Sequence, residues 1–188
     1  NALDCVHQLC DLGEVEKAGQ MVDQLAAFYR IGVSKGMVAI SLRDELTHVE
    51  MYLAILKTRF EDFQYEISVP AEYWDCSIIK LVLQPIVENA IFSGIEPSGR
   101  TGLITIRVWV KSGVLHISVT DNGIGISPEN IKKLLTDTSR ITRSNMSGIG
   151  LPNVDRRFKL VYGEDYGLTI ESFVDYYNSL TITLLLEF

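Results

Sequence analysis

The chain has 188 residues, 47% of them hydrophobic, and a formal net charge of −7, enough to bury one core of ordinary size, alone or with a small helical attachment. No dense Lys/Arg run relieves the acidity, which argues against a nucleic-acid groove or an anionic membrane surface as partner. No apolar run approaches the roughly 20 residues of a bilayer span, and Cys5, Cys10 and Cys76 lack metal-type spacing, so free thiols in a reducing compartment are expected.

The chain starts without Met, inside what reads as a short helix, and nothing there resembles a signal peptide. A piece of a longer protein is expected. After Gly13, Ala18, Val22, Leu25 and Tyr29 hold one face of a helix that opens at Val15. Gly32 to Ile40 reads as a turn. Ser41 opens a second helix, its hydroxyl capping the first turn while Asp44 reaches back. Leu42, Leu46, Val49, Leu53, Leu56 and Phe60 then alternate steps of four and three, a seam for another helix. FQYEISV, from Phe63, alternates as a half-buried strand that Pro70 ends. Ser77 to Phe92 predicts a helix in which Pro85 is an awkward interior residue that bends it. Leu103–Val110 and Val114–Thr120 form a hairpin around Lys111, Ser112 and Gly113. A polar stretch runs to Ser147, followed by a helix from Leu151 to Tyr162 and strands over Leu168–Val174 and Leu180–Phe188. Helices first, then an antiparallel sheet with helices on one face, is an α+β plan.

Three features stand in fixed order: LQPIVENAI within a helix, DNGIGI after a strand, and SGIGLPNV opening a helix. Asp121-Asn122-Gly123 is by itself also a plain turn signal. Gly148 and Gly150 allow close backbone approach to a ligand, and the helix that follows offers unpaired N–H groups to phosphate; the alternative is a tight loop that needs glycine for backbone reasons. Asn89 lies in an apolar helical stretch and needs a partner, either the core it crosslinks or a hard cation such as Mg2+. Glu88 beside it either polarises an attacking group or is an exposed helix carboxylate.

Asn in a helix, then D-x-G-x-G, then G-x-G-L at a helix start resembles the ATP-binding superfamily shared by gyrase, Hsp90, MutL and histidine kinases. LQPIVENAI with GIGLPNVDRRF, preceded by FYR at Phe28 to Arg30 and by ISLRDELTHVEMYLAILKTRFED from Ile40, is similar to the LytS-type sensor histidine kinases. The resemblance covers nearly the whole chain. It implies a two-layer α/β sandwich of the Bergerat type over 63–188, with a mixed, mostly antiparallel sheet and helices on one face. A helical hairpin over 1–62 precedes it, part of a dimerisation and phosphoacceptor region.

The resemblance further implies that Asp121 accepts the adenine amino group while Gly123, Gly125 and Ile126 close over the base. Asn89 holds Mg2+, Gly148, Ile149, Gly150 and Leu151 cradle the phosphates of ATP, and Glu88 is the catalytic candidate. The segment from Ser127 to Ser147 is the expected lid, with Lys132, Lys133, Arg140 and Arg143 as candidate phosphate contacts. The expected protein is the cytoplasmic part of a plasma-membrane sensor, a homodimer through its N-terminal helices, serving a response regulator and reaching the membrane only through upstream segments.

Four departures qualify this. Phe92 and Ser93 stand where the family commonly has a basic residue and His, and Asn178 and Ser179 stand where Gly-Thr is usual. Pro85 occupies the place, four residues before Asn89, where the gyrase and chaperone ATPases carry a carboxylate. By register, Asn1 is the last residue of the family's H-F-L-x-N motif, which puts the phosphoacceptor upstream. His7 and His48 read as helix-surface residues and His116 as structural. The alternative reading is a nucleotide-binding scaffold with degenerate kinase activity.

Overall fold

The computed structural model describes residues 2–32, 38–57, 62–136 and 150–187. Helices α1 (Ala2–Asp11) and α2 (Val15–Gly32) are parted by Gly13, at a φ of +72°. The N–H groups of Gly13 and Glu14 return to the carbonyls of Cys10 and Leu9 at 3.0 and 2.9 Å, which closes α1. The inward face of α2 carries Ala18, Met21 and Leu25, whereas Val22, expected there, is 49% exposed. Steps of three then four satisfy the helical period as well as four then three, and Met21 takes the buried place because it meets Ile55. Phe60, the side chain of Tyr29 and residues 33–37 of the expected turn lie outside the described residues.

Helix α3 (Leu42–Lys57) starts on Ser41, whose hydroxyl accepts the Asp44 N–H at 3.1 Å. Its Leu42, Leu46, Val49, Leu53 and Leu56 enter the main core, while Ile55 joins Met21 and Leu25 in a satellite core flanked by Val6 and Leu9. At about 2 kcal/mol per fully buried aliphatic side chain, α3 is held to the main core more strongly than to α2. His48 is accordingly fully buried rather than on the helix surface, and burial lowers its pKa. His7 does lie on the surface, 3.1 Å from Asp11.

The helix expected over Ser77–Phe92 is broken. Ser77–Ile79 is a strand, β3, antiparallel to β1 (Ala39–Ser41); Leu81 turns at a φ of +58°, and only Leu83–Asn89 is α-helical, as α4. Two distant side chains impose the break. The Glu45 carboxylate of α3 accepts the N–H groups of Leu81, Val82 and Leu83 at 2.7, 2.8 and 2.9 Å. Arg157 donates to the carbonyls of Lys80 and Leu81 at 2.7 and 3.2 Å. A start at Leu83 puts Pro85 in the first turn, where its missing N–H removes no hydrogen bond, so it does not act as an interior breaker. Past Asn89 the backbone widens into a π-helical turn, Ala90–Ile95, a form frequent at functional sites.

The sheet has five strands in the order β2-β4-β5-β7-β6: β2 (Phe63–Ser68), β4 (Gly102–Lys111), β5 (Val114–Asp121), β6 (Gly167–Phe173) and β7 (Tyr177–Leu185). β2 runs parallel to β4, and the other pairings are antiparallel. Ser112 and Gly113 turn the β4–β5 hairpin with φ of +52° and +79°, the geometry that suits right-handed strand twist. His116 of β5 stacks on Trp109 of β4, centroids 5.1 Å apart. The polar stretch after β5 contains a helix, α5 (Pro128–Thr136), and α6 (Gly150–Tyr162) follows. Leu151, Val154 and Phe158 of α6 join Ile104, Ile106, Ile117 and Leu180 of the sheet in the main core. The fold is the expected two-layer α+β sandwich, with helices preceding it. No helix among the described residues is long and apolar enough to cross a membrane.

Candidate functional site

A strand's period of two builds the centre of the site. Along β5 the inward positions are Leu115, Ile117, Val119 and then Asp121, so the alternation delivers a carboxylate to the core face. β7 does the same with Leu184, Ile182, Leu180 and then Asn178. Register sets Asn178 directly across from Asp121, and Ser172 of β6 across from Asn178. A polar row therefore crosses three strands at one end of an apolar face.

A chain of hydrogen bonds along that row leads to Asp121. Asn178 Nδ2 donates to Asp121 Oδ1 at 3.0 Å, and the Gly123 N–H donates to the same oxygen at 2.9 Å. Asn178 Oδ1 accepts from Ser172 Oγ at 2.7 Å, and Ser172 Oγ accepts the Ile126 N–H at 2.6 Å. Asp121 is 1% exposed, and its Oδ2 has no hydrogen-bond partner among the described residues. Burial, partly offset by Gly123 and Asn178, raises its pKa to about 6. An unmet buried acceptor costs about 1–3 kcal/mol, a penalty that a ligand N–H would remove.

Close backbone approach makes the row possible. A Cβ on Gly94, in the π-helical turn, would stand 2.5 Å from Asp121 Oδ1, and one on Gly123 would overlap the Gly94 backbone. Gly125, at a φ of +72°, abuts the backbone of Phe173 and Val174. Asn122 points the other way, accepting the Leu103 N–H at 2.7 Å and donating to the Thr101 carbonyl at 3.1 Å, which pins the loop to β4. Sequence reasoning missed Gly94, Ser172 and the contact of Asn178. The parity of the apolar residues on β7 was the available signal for Asn178.

Asn89 ends α4 at 2% exposure, and its Nδ2 has no partner among the described residues. The two ends of an amide exchange by rotation about its last bond, so this side chain can offer either a donor or an oxygen. A single oxygen fits Mg2+, which keeps waters and phosphate oxygens as its other ligands. No group of three or more His, Cys, Asp or Glu residues that could hold a metal occurs among the described residues. Glu88 is neither exposed nor free. It accepts from Gln84 Nε2 at 2.9 Å and from the hydroxyl of Tyr52, whose pKa is raised by burial and by Glu88.

Helix α6 begins at Gly150, where a Cβ would stand 2.8 Å from Pro85 Cβ, so the head of the G-x-G-L helix touches the helix that carries Asn89. Leu151 is fully buried beneath it. Gly148, Ile149, Arg140 and Arg143 lie outside the described residues. Lys132 and Lys133 are exposed on α5, with Lys133 paired to Glu129 at 2.7 Å.

The profile of the histidine kinase-, DNA gyrase B-, and HSP90-like ATPases matches residues 75–187, and a histidine kinase profile matches residues 1–64. The sensor histidine kinase BtsS of Escherichia coli is 32% identical over 170 residues, 90% of this chain and 28% of the relative. The sensor histidine kinase YesM of Bacillus subtilis is 30% identical, over 98% of this chain and 30% of its own length. LytS of Bacillus anthracis is 29% identical, over 98% and 31%. The chain thus spans about three tenths of the length of these curated relatives. Among solved structures, the catalytic domain of histidine kinase ThkA superposes with a TM-score of 0.59 at 19% identity, over 78% of this chain and 93% of that one. The histidine kinase domain of a blue-light activated kinase from Erythrobacter litoralis gives 0.57 at 15% identity, over 93% and 82%. The chain belongs to the gyrase B- and HSP90-like ATPase family and, within it, to the LytS-type histidine kinases.

Proposed function

We propose that the chain is the kinase portion of a two-component sensor. Residues 63–188 bind Mg-ATP, and in the intact protein the γ-phosphoryl passes to a histidine upstream of Asn1 and then to a response regulator. Residues 1–62 supply part of the dimerisation and phosphoacceptor region, on the cytoplasmic side of a membrane reached through upstream segments. The burial of His48 and the stacking of His116 support an acceptor elsewhere.

The observation that carries this reading is the buried Asp121 carboxylate with one oxygen engaged and the other open. Its Oδ2 accepts one hydrogen of the adenine amino group, while Gly123, Gly125 and Ile126 keep the loop against the base. Asn89 holds Mg2+, which supplies charge neutralisation on the phosphates when bound. Gly148, Ile149, Gly150 and Leu151 are the residues assigned to cradle the phosphates, a role suited to the head of α6. Lys132, Lys133, Arg140 and Arg143 remain candidate phosphate contacts. Catalysis is chiefly positioning, and Glu88, held by Gln84 and Tyr52, serves it by orientation rather than as a free base.

Asp121→Asn tests the site. Two N–H donors converge on Oδ1, so the amide must turn its NH2 outward, where donor meets donor. Calorimetry should show no ATP binding; undiminished affinity sinks the adenine assignment. One observation favours the scaffold alternative: Phe92 packs on the main core and offers no basic contact. ATP binding without radiolabel transfer, in a protein that includes the upstream histidine, would establish that alternative.

A further inference from the structure

We propose that Glu45 and Tyr52, on one face of α3, are positioning residues that set where Asn89 stands in the nucleotide site. The proposal rests on the assignment of Asn89 to the Mg-nucleotide made above.

Glu45 is fully buried, and a carboxylate at a core position is unfavourable unless its hydrogen bonds are made. Here they go to the N–H groups of Leu81, just ahead of α4, and of Val82 and Leu83, the last two being N–H groups that a helix start leaves without internal partners. Tyr52 lies seven residues further along α3, two turns and about 10 Å away on the same side. It bonds to Glu88, the residue before Asn89. From Leu83 to Glu88, α4 advances about 8 Å, so α3 grips α4 at both ends. A helix of seven residues held at two points can neither tilt nor slide along its axis without breaking one of them. Asn89 is its last residue.

The junction is shared with the other wall of the site. Arg157 of α6 holds the carbonyls of Lys80 and Leu81 while Glu45 holds the N–H groups that follow. Leu81 keeps a left-handed φ of +58° between them, a conformation that a leucine adopts only when its surroundings impose it. Gly150, at the head of α6, rests on Pro85 of α4. A displacement of α3 therefore moves Asn89 directly, through hydrogen bonds, rather than through side chains that can repack.

The test is titration of the non-hydrolysable analogue AMP-PNP with and without Mg2+, by calorimetry, for wild type, Glu45→Gln, Tyr52→Phe and each combined with Asn89→Ala. Positioning predicts that the Mg2+-dependent gain in affinity falls about tenfold in Glu45→Gln and less in Tyr52→Phe. Affinity in EDTA, which reads the Asp121 end, should hold within about twofold, and neither change should add to Asn89→Ala. Equal losses with and without Mg2+, or effects that add to Asn89→Ala, would overturn the proposal in favour of a purely structural cap. Tyr52→Phe removes one hydroxyl and keeps the ring, so it decides the matter if Glu45→Gln fails to fold. Failure of the underlying reading looks different: Asp121→Asn then binds nucleotide normally, or Asn89→Ala keeps the whole Mg2+-dependent gain.

Discussion

Asp121 sets the pH behaviour at the residue scale. Its pKa is 3.8 when unperturbed and about 6 in the fold, so the folded state binds the proton more tightly. Its contribution to stability is complete below about pH 4 and is lost as pH rises through 6, by roughly 3 kcal/mol. Urea unfolding of wild type and Asp121→Asn between pH 4 and 7.5 isolates this, since Glu45, also raised by burial, is common to both chains. The wild type should lose ground to the variant as pH rises. Nucleotide affinity should move the opposite way, because only the ionised carboxylate is purely an acceptor. With one carboxylate in ten ionised at pH 5, affinity should be about tenfold weaker there than at pH 8. A flat profile would place the recognition elsewhere. The glycines give a second residue-scale prediction. A Cβ at position 123 meets the Gly94 backbone, which cannot swing aside as a side chain can. Gly123→Ala should lower stability by about 3 kcal/mol and remove nucleotide binding, as read by thermal melting with and without ATP.

At the element scale the decisive structure is the junction ahead of α4, and it shows what a sequence can and cannot convey. Alternation and helical spacing located β4, β5, α3 and α6 because each is decided by its own residues. The break between β3 and α4 was not legible. Ile78, Ile79, Leu81 and Val82 suit a helix as well as a strand, and what stops the helix is a carboxylate 36 to 38 residues upstream and a guanidinium 76 and 77 residues downstream. Pro85 was the one local hint that a helix begins near it. The site divides the same way. Asp121 and the glycines announced themselves by motif, whereas Asn178 was taken for a departure although it donates to Asp121. The junction is open to test. Arg157→Met removes both carbonyl contacts and leaves the Glu45 charge without its counterpart, at a cost of about 3 kcal/mol. Adding Glu45→Gln removes that charge, so urea denaturation should show the double variant less destabilised than the sum of the singles.

At the scale of the whole molecule, two cores of unequal size share α3. Leu46, Val49 and Leu53 tie it to the main core, while α1 and α2 reach it through Met21, Leu25 and Ile55, with Val6 and Leu9 at the margin. Burial of this kind is worth about 2 kcal/mol per side chain, so opening α1 and α2 away from α3 requires far less free energy than unfolding the sheet. Local opening governs amide exchange wherever it is cheaper than global unfolding. Hydrogen exchange should therefore find the amides of α3 protected to nearly the level of β4 and β5, and those of α2 exchanging well before them. Met21 is 1% exposed, and Met21→Ala should weaken the satellite core by about 3 kcal/mol. That change should speed exchange in α1 and α2 yet leave the protection of β5, and AMP-PNP affinity, within about twofold of wild type. If exchange in β5 quickened in step with α2, the chain would be a single cooperative unit. The arrangement that exchange should find is a loosely docked pair of helices beside a rigid unit, with α3 belonging to the rigid side. Motion of the outer helices would then reach Asn89 only when α3 itself is displaced.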